Sequence, residues 1–320
     1  MSRVASATII CACCIVFSAQ AAYPDKPIRL IVPFPPGGNV DITARIVGAA
    51  LTDILHQQLV LDNRGGAGGV IGLDLTAKAA PTGYTMVLAS PGPITIAPSF
   101  FPNLPYDPVT QLAPIGLVSN VPQVLIVSPS LQAQSVKEFI ALAKSRPGAL
   151  KMASAGNGTT NQLVGELFQI VTGTKLTHVP YKGSGPAMID IISGQVDLHF
   201  DQMTSAMTFI RSGKVRALAV TTKKRAAALP ETPTLDEAGV PGFDATTYTG
   251  LIFPAATPRA IVMQMNGSLN QALRLKSVRD QFASFGGETY ESTPEQFAKL
   301  IRDDIARWGK VIRDTGIKVE

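Results

Sequence analysis

The chain has 320 residues, of which 46% are hydrophobic and 16% charged, with a formal net charge of +5. That much apolar side chain offsets chain entropy and excludes a disordered protein, and the length suits two domains of ordinary size. The basic residues are scattered, with no tract longer than Lys223-Lys224-Arg225, which argues against a nucleic-acid partner and for mild attraction of small anions.

Residues 1–21 read as a signal peptide. Arg3 supplies the positive end, residues 4–17 are apolar, and Ala19-Gln20-Ala21 is a small-residue cleavage site. Export to the periplasm, with Ala22 as the first mature residue, is the expectation. A retained anchor over residues 4–24 and a lipid-anchoring reading of Ile10-Cys11-Ala12-Cys13 are the alternatives. Cys11, Cys13 and Cys14 all lie in this segment, so the mature chain is expected to have no disulfide and no thiolate chemistry.

Short apolar runs at 28–34, 59–62, 86–90 and 117–119 predict strands. Helical patterns at 40–55 and 70–79 lie between them. This βαβ alternation predicts a parallel sheet with helices on both faces. A second α/β unit begins near 124–127. Its helix at 135–145 has Ser135 as N-cap and is stopped by Pro147-Gly148. Strands 151–154, 176–179, 196–200 and 215–221 then alternate with helices 159–171, 185–193 and 204–212. After Pro241-Gly242 come an extended run at 246–253, helices 258–275, 277–285 and 294–315, and a strand at 288–291. Thr293 is the expected N-cap of the last helix, with Pro294 at its first position. Its stripe of Phe297, Leu300, Ile301, Ile305, Trp308 and Ile312 predicts a buried face, with Trp308 in the core and remote from any cleft.

The fold class expected is α/β, with two lobes. Residues 22–123 plus 246–320 form one, 124–245 the other, and two extended crossings near 119–127 and 246–253 join them. The cleft between lobes is the expected site.

Ligands of open α/β sheets sit beyond the carboxyl ends of the strands. At Gly37-Gly38-Asn39 the glycines let backbone approach a ligand, Asn39 is expected to cap the helix, and the helix dipole favours an anion, which Asp41 partly offsets. A plain tight turn is the alternative. The run from Gly65 to Gly72 holds Gly66, Ala67 and Gly68. It lacks dinucleotide spacing, and the next strand ends in Ser90 instead of an acid, so it reads as a carboxylate cradle or a packing turn. Gly158, Thr159, Thr160 and Asn161 offer hydroxyls, an amide and helix-start N–H groups, or capping alone. Tyr181, Lys182 and Gly183 offer a wall and a charge. Ser184 sits between glycines without the G-x-S-x-G pattern and is not assigned as a nucleophile. His56, His178 and His199 lie apart and predict no metal site. Asp201 either orients a ligand amine or hydroxyl, or caps the next helix. No cofactor is expected.

Several longer stretches follow one another over the whole mature chain. They are "YPDKPIRLIVPFPPGG" from Tyr23, "NRGGAGG" from Asn63, "APTGYTMVL" from Ala80, "LPYDPV" from Leu104, "NGTTNQL" from Asn157, "HVPYKGSGPA" from His178, "SGKVRALAVTT" from Ser212 and "TPEQFAKLIRDDIARWGKVI" from Thr293. In this order they resemble the Bug-type (TctC-like) solute receptors of tripartite tricarboxylate transporters. The resemblance implies a two-lobed periplasmic binding protein, monomeric and without enzymatic activity. Its ligand would be a small organic carboxylate and its partners the transporter's membrane components. It further implies that the ligand meets Phe34 to Asn39, Gly66 to Gly68 and Thr159 to Asn161, with Tyr181, Lys182, Gly183 and Asp201 lining the second lobe. Asp41, Ser90 and Gly158 complete the candidate set. Asn39, Asn161, Gln202-Met203 and Tyr248 depart from the family's commoner residues and bear on which carboxylate is bound. A sensor acting with a membrane signalling protein and a secreted enzyme using Ser184 and Asp201 are the alternatives.

Overall fold

A computed structural model describes residues 23–317. The expected signal peptide, its three cysteines and Ala22 lie outside the described residues. In chain order the elements are β1 (Ile28–Val32), α1 (Asn39–Leu55), β2 (Leu59–Asn63), α2 (Val70–Ala77), β3 (Thr85–Ala89), α3 (Ala97–Phe100), β4 (Leu112–Val127), α4 (Val136–Ser145), β5 (Lys151–Ser154) and α5 (Thr160–Thr172). They continue as β6 (Thr177–Pro180), α6 (Ser184–Ser193), β7 (Leu198–Gln202), α7 (Met203–Arg211), β8 (Arg216–Val220), β9 (Thr246–Pro254), α8 (Arg259–Arg274), α9 (Lys276–Ser284), β10 (Glu288–Thr289) and α10 (Pro294–Thr315).

The strands form one sheet in the order β2-β1-β3-β9-β4-β7-β5-β6, with β8 and β10 also on β4. β4 is its spine. Its first part pairs with β9 from Leu112 to Pro122, and its last part, from Gln123 to Val127, pairs with β7. β8 takes over the opposite edge from Val124 onward. The sheet therefore has a first segment on one part of β4 and a second segment on the other. The expected strands at 117–119 and 124–127 are one strand of 16 residues. The all-parallel expectation is also corrected, since β4 runs antiparallel to β7, β8 and β9, and β9 antiparallel to β3. Both long crossing strands come from chain that returns along a neighbour, and apolar runs look alike in either direction.

Alternation along each strand sends side chains to two cores. In the first segment Ile28, Leu30 and Val32 of β1 pack with α1, α8 and α9, and Ile31 packs with α2 and α10. In the second, Leu125, Val127, Leu198 and Phe200 pack with Phe139 of α4 and Phe168 of α5. Val124 and Ile126 face Ala187, Met188 and Ile191 of α6 and Met203 of α7. Both faces are covered, which is why the strands read as unbroken apolar runs. Ser135 caps α4, and Thr293 with Gln296 closes a capping box on α10, as their sequences predict. Residues beyond Ser90, expected as loop, form a wide helical turn at Gly92–Ile96 that runs into α3.

Candidate functional site

The loop from β1 to α1 opens the site. Pro35 and Pro36 cannot extend the strand, and Gly37 turns the chain at φ +93°. α1 then begins. Its N-cap is Gly38, not the expected Asn39, which is the first helical residue and makes no cap bond. Asp41 fastens the turn from inside. Its Oδ2 accepts from Gly37 N at 3.1 Å and Arg45 Nε at 3.0 Å, and its Oδ1 accepts from Asn63 Nδ2 at 3.0 Å. Burial alone would raise this carboxyl, but the bonds from Arg45, Asn63 and Gly37 outweigh it and hold the group below the usual carboxylate range. Asp41 thus acts as a clamp on the loop, its charge already paired.

A cavity lies beside this turn. Phe34, Gly38, Asn39 and Val40 line it from the β1–α1 side, with Ser90 and Gly92 after β3. Ala155, Thr159, Thr160 and Asn161 line it from the approach to α5 and its start, Ser184 from α6, Gln202 from the end of β7 where α7 begins, and Thr247 from β9. Both sheet segments contribute. The cavity is small, leaving ≈ 30 Å³ for water-sized occupants. Four helices of 17, 13, 10 and 9 residues, α1, α5, α6 and α7, start at it. None of the four has its first N–H groups capped by its own N-cap side chain. The lining has no charged side chain among the described residues. The cavity is therefore a polar pocket whose positive character comes from helix ends.

The structure brings together Phe34, Gly38, Asn39, Ser90, Thr159, Thr160 and Asn161 from the candidate set. It places the others around them. Gly37 packs against Gly185 of α6, and Gly68 abuts the Asn157 carbonyl, where a Cβ would fall 2.2 Å from the oxygen. Gly66 and Ala67 lead into that contact without lining the cavity, and Gly158 packs against Phe101. Tyr181 donates to Asp190 at 2.6 Å, and burial together with Asp190 pushes its hydroxyl up to about 12. Lys182 is exposed, and Gly183 packs on Pro35. Asp201 is wholly buried behind Ser184. Sequence reasoning left Val40, Gly92, Ala155 and Thr247 out, named Gln202 only as a departure from the family that bears on the ligand, and did not assign Ser184 a binding role. Gly92 and Ala155 lie just past strand ends and carry that weak signal; Thr247, inside a crossing strand, carries none.

Ser184, His199 and Asp201 meet in the interior but not as a catalytic triad. Ser184 Oγ donates to Asp201 Oδ1 at 2.7 Å, and His199 Nδ1 donates to the Ala153 carbonyl at 2.8 Å. His199 Nε2 is 3.5 Å from Ser184 Oγ. A triad needs the carboxylate on Nδ1 and the serine proton directed to Nε2. Here the carboxylate accepts the serine hydrogen bond and a backbone carbonyl holds Nδ1. Ser205 Oγ donates to the other Asp201 oxygen at 2.8 Å.

A second cavity of ≈ 260 Å³ shares Thr160 with the first and is lined by Asn120 of β4, Tyr248 of β9 and Asp304, Arg307 and Trp308 of α10. Burial raises the Asp304 carboxyl, although Arg307 pairs with it at 3.0 Å. Trp308, the chain's one tryptophan, is half-buried and stacks under the Arg307 guanidinium, 4.4 Å from its ring centroid. Trp308 packs against the buried cluster of Ile96, Leu163 and Ile312, as its stripe predicts, but it also lines this cavity and is not remote from it. The cavity it lines is walled by residues of both β4 and β9. Ligand binding in the first cavity is expected to change Trp308 emission, read by titration alongside calorimetry. An unchanged spectrum at saturation would uncouple the second cavity from binding.

The sequence profile of the tripartite tricarboxylate transporter family receptor matches residues 43–317. The chain belongs to this receptor family. Bug protein BugT of Bordetella pertussis strain Tohama I is 41% identical over 299 residues, spanning 93% of this chain and 92% of BugT. The solved structure of Rhodopseudomonas palustris Rpa4515 with adipate superposes at a TM-score of 0.90 and 35% identity, covering 92% of this chain and 99% of that one. MatC of the same organism, with bound malate, superposes at 0.87 and 32% identity, covering 91% and 100%. This receptor is thus a periplasmic solute-binding protein of the Bug type, and its relatives are binding proteins, not enzymes.

Proposed function

We propose that the receptor closes two lobes, residues 22–123 plus 246–320 and residues 124–245, over one small organic carboxylate. It then delivers that ligand, as a monomer, to the membrane components of a tripartite tricarboxylate transporter. The observation that carries this is the meeting of four uncapped helix starts, one from the first segment and three from the second, at a cavity without a charged lining. Oriented N–H groups match a carboxylate on both sides at about 1 kcal/mol net each. Neutral donors also let go, as a transport receptor must. The structures with adipate and malate support the ligand class. Phe34, Gly38, Asn39, Ser90, Thr159, Thr160 and Asn161 contact the ligand in this reading. Gly37, Asp41, Gly66, Ala67, Gly68, Gly158, Tyr181, Lys182, Gly183 and Asp201 shape the loops that do.

Thermal unfolding against a panel of mono-, di- and tricarboxylates tests the reading. One acid is expected to stabilise the protein by about 2.7 kcal/mol at a hundredfold excess over its dissociation constant. It should be recovered chemically unchanged. A panel without any shift would overturn the reading.

A further inference from the structure

The helix starts give the cavity donors; the side chains of its second-segment wall give the reverse. The Thr159 hydroxyl donates to the Gly156 carbonyl at 2.6 Å. The Ser184 hydroxyl donates to Asp201 at 2.7 Å, and the other Asp201 oxygen is held by Ser205, so the serine proton points away from the cavity. Asn161 Nδ2 donates to the Phe200 carbonyl at 2.7 Å and to Gln202 Oε1 at 3.3 Å. Gln202 Nε2 in turn donates to Thr160 and Thr247, at 3.3 and 3.4 Å. The hydrogens of Thr159, Ser184, Asn161 and Gln202 are thereby engaged within the protein. Thr160 and Thr247 share one hydroxyl–hydroxyl bond of 3.1 Å, and lone pairs on Thr159 Oγ1, Ser184 Oγ and Asn161 Oδ1 make up most of what this wall has left.

A bare carboxylate brings only acceptors. The backbone N–H groups satisfy it, but against this wall it sets oxygen against oxygen. A ligand with an O–H or N–H group beside its carboxylate satisfies both sets. We infer that the receptor selects carboxylates bearing a hydroxyl or amino substituent, and that Thr159, Asn161 and Ser184 form the acceptor set that selects them. The inference rests on the carboxylate-receptor reading above and names the ligand class within it.

Calorimetry on the whole receptor with matched pairs tests it. The probes are L-malate and L-aspartate each against succinate, 2-hydroxyglutarate and L-glutamate each against glutarate, and lactate and alanine each against propionate. At least one substituted acid is expected to bind about fivefold or more tighter than its parent, the weight of one neutral hydrogen bond. The hydroxy and amino arms show which donor is preferred. Ser184→Ala is expected to bring that ratio closer to one; a ratio unchanged in a folded variant removes Ser184 from the set. If Ser184→Ala does not fold, the wild-type ratios decide alone. Parents that bind as tightly as their substituted partners in every pair overturn the inference and leave the carboxylate reading standing. Failure of every acid overturns both.

Discussion

Gly185→Ala is expected to fold at least as well as the wild type and to lose about tenfold or more in carboxylate affinity. Gly185 is the second residue of α6, and a Cβ there would lie 2.5 Å from the Pro36 carbonyl oxygen on the β1–α1 turn. Its φ is not in the left-handed region, so alanine adds no backbone strain. In a helix alanine is favoured over glycine by about 1 kcal/mol. The segment that carries α6 therefore gains slightly in stability. What the methyl group opposes is the approach of α6 to the turn. Lobes held apart at this point lose contacts from one side of the ligand, and two neutral hydrogen bonds at about 1 kcal/mol each already exceed tenfold. Calorimetric affinity and the unliganded melting temperature, read together, check this. Unchanged affinity would show that binding does not need the turn and α6 to meet. Gly68→Ala, also at a contact between segments, is a poorer test, because Gly68 has φ +62° and the substitution strains the backbone as well.

Asp41→Ala is expected to destabilise the protein by about 2–4 kcal/mol. The ion pair is the smaller part, since Arg45 is mostly exposed. The larger part is the loss of the acceptor for Gly37 N–H and Asn63 Nδ2, two donors that hold the turn together. Asn63 also donates to the Phe34 carbonyl, so loosening it reaches a cavity-lining residue. The pH dependence has a definite sign. The carboxyl is held below its unfolded value, so its stabilisation is complete above the ordinary carboxylate range near pH ~4 and is lost as pH falls through the folded value. The gap in melting temperature between wild type and Asp41→Asn should be constant near neutrality and narrow below pH ~4. A gap that stays constant into acid would mean that the charge contributes nothing.

These two residues show where local reading succeeds and where it stops. Asp41 is legible as a first-turn acid, and the sequence pattern assigns it to the dipole. Its partners Asn63 and Gly37 come from the next strand and the turn before, and only their approach makes it a clamp. Asn39 has the composition of an N-cap, yet Gly38 takes that position, because the turn enters the helix one residue earlier. Trp308 falls on an apolar stripe, and a stripe does not reveal that a cavity lined by β4 and β9 stands beside its outer edge.

The sequence by itself determined the order of helices and strands, the two caps at Ser135 and Thr293, the glycine-rich turns after the strands, and the family. Those signals are periodic or contiguous, and the backbone reads them within a few residues. Only the tertiary structure decided that one strand carries both sheet segments, that β9 returns antiparallel beside it, and which residues face one cavity. It also decided the direction of each hydrogen. Ser184 is left as an acceptor because its hydroxyl hydrogen is bonded to Asp201, seventeen residues away, and Asn161 shows its oxygen because Phe200 and Gln202 hold its nitrogen. Hydrogen-bond direction is set by the partner, and these partners meet only when separate strands and helices pack.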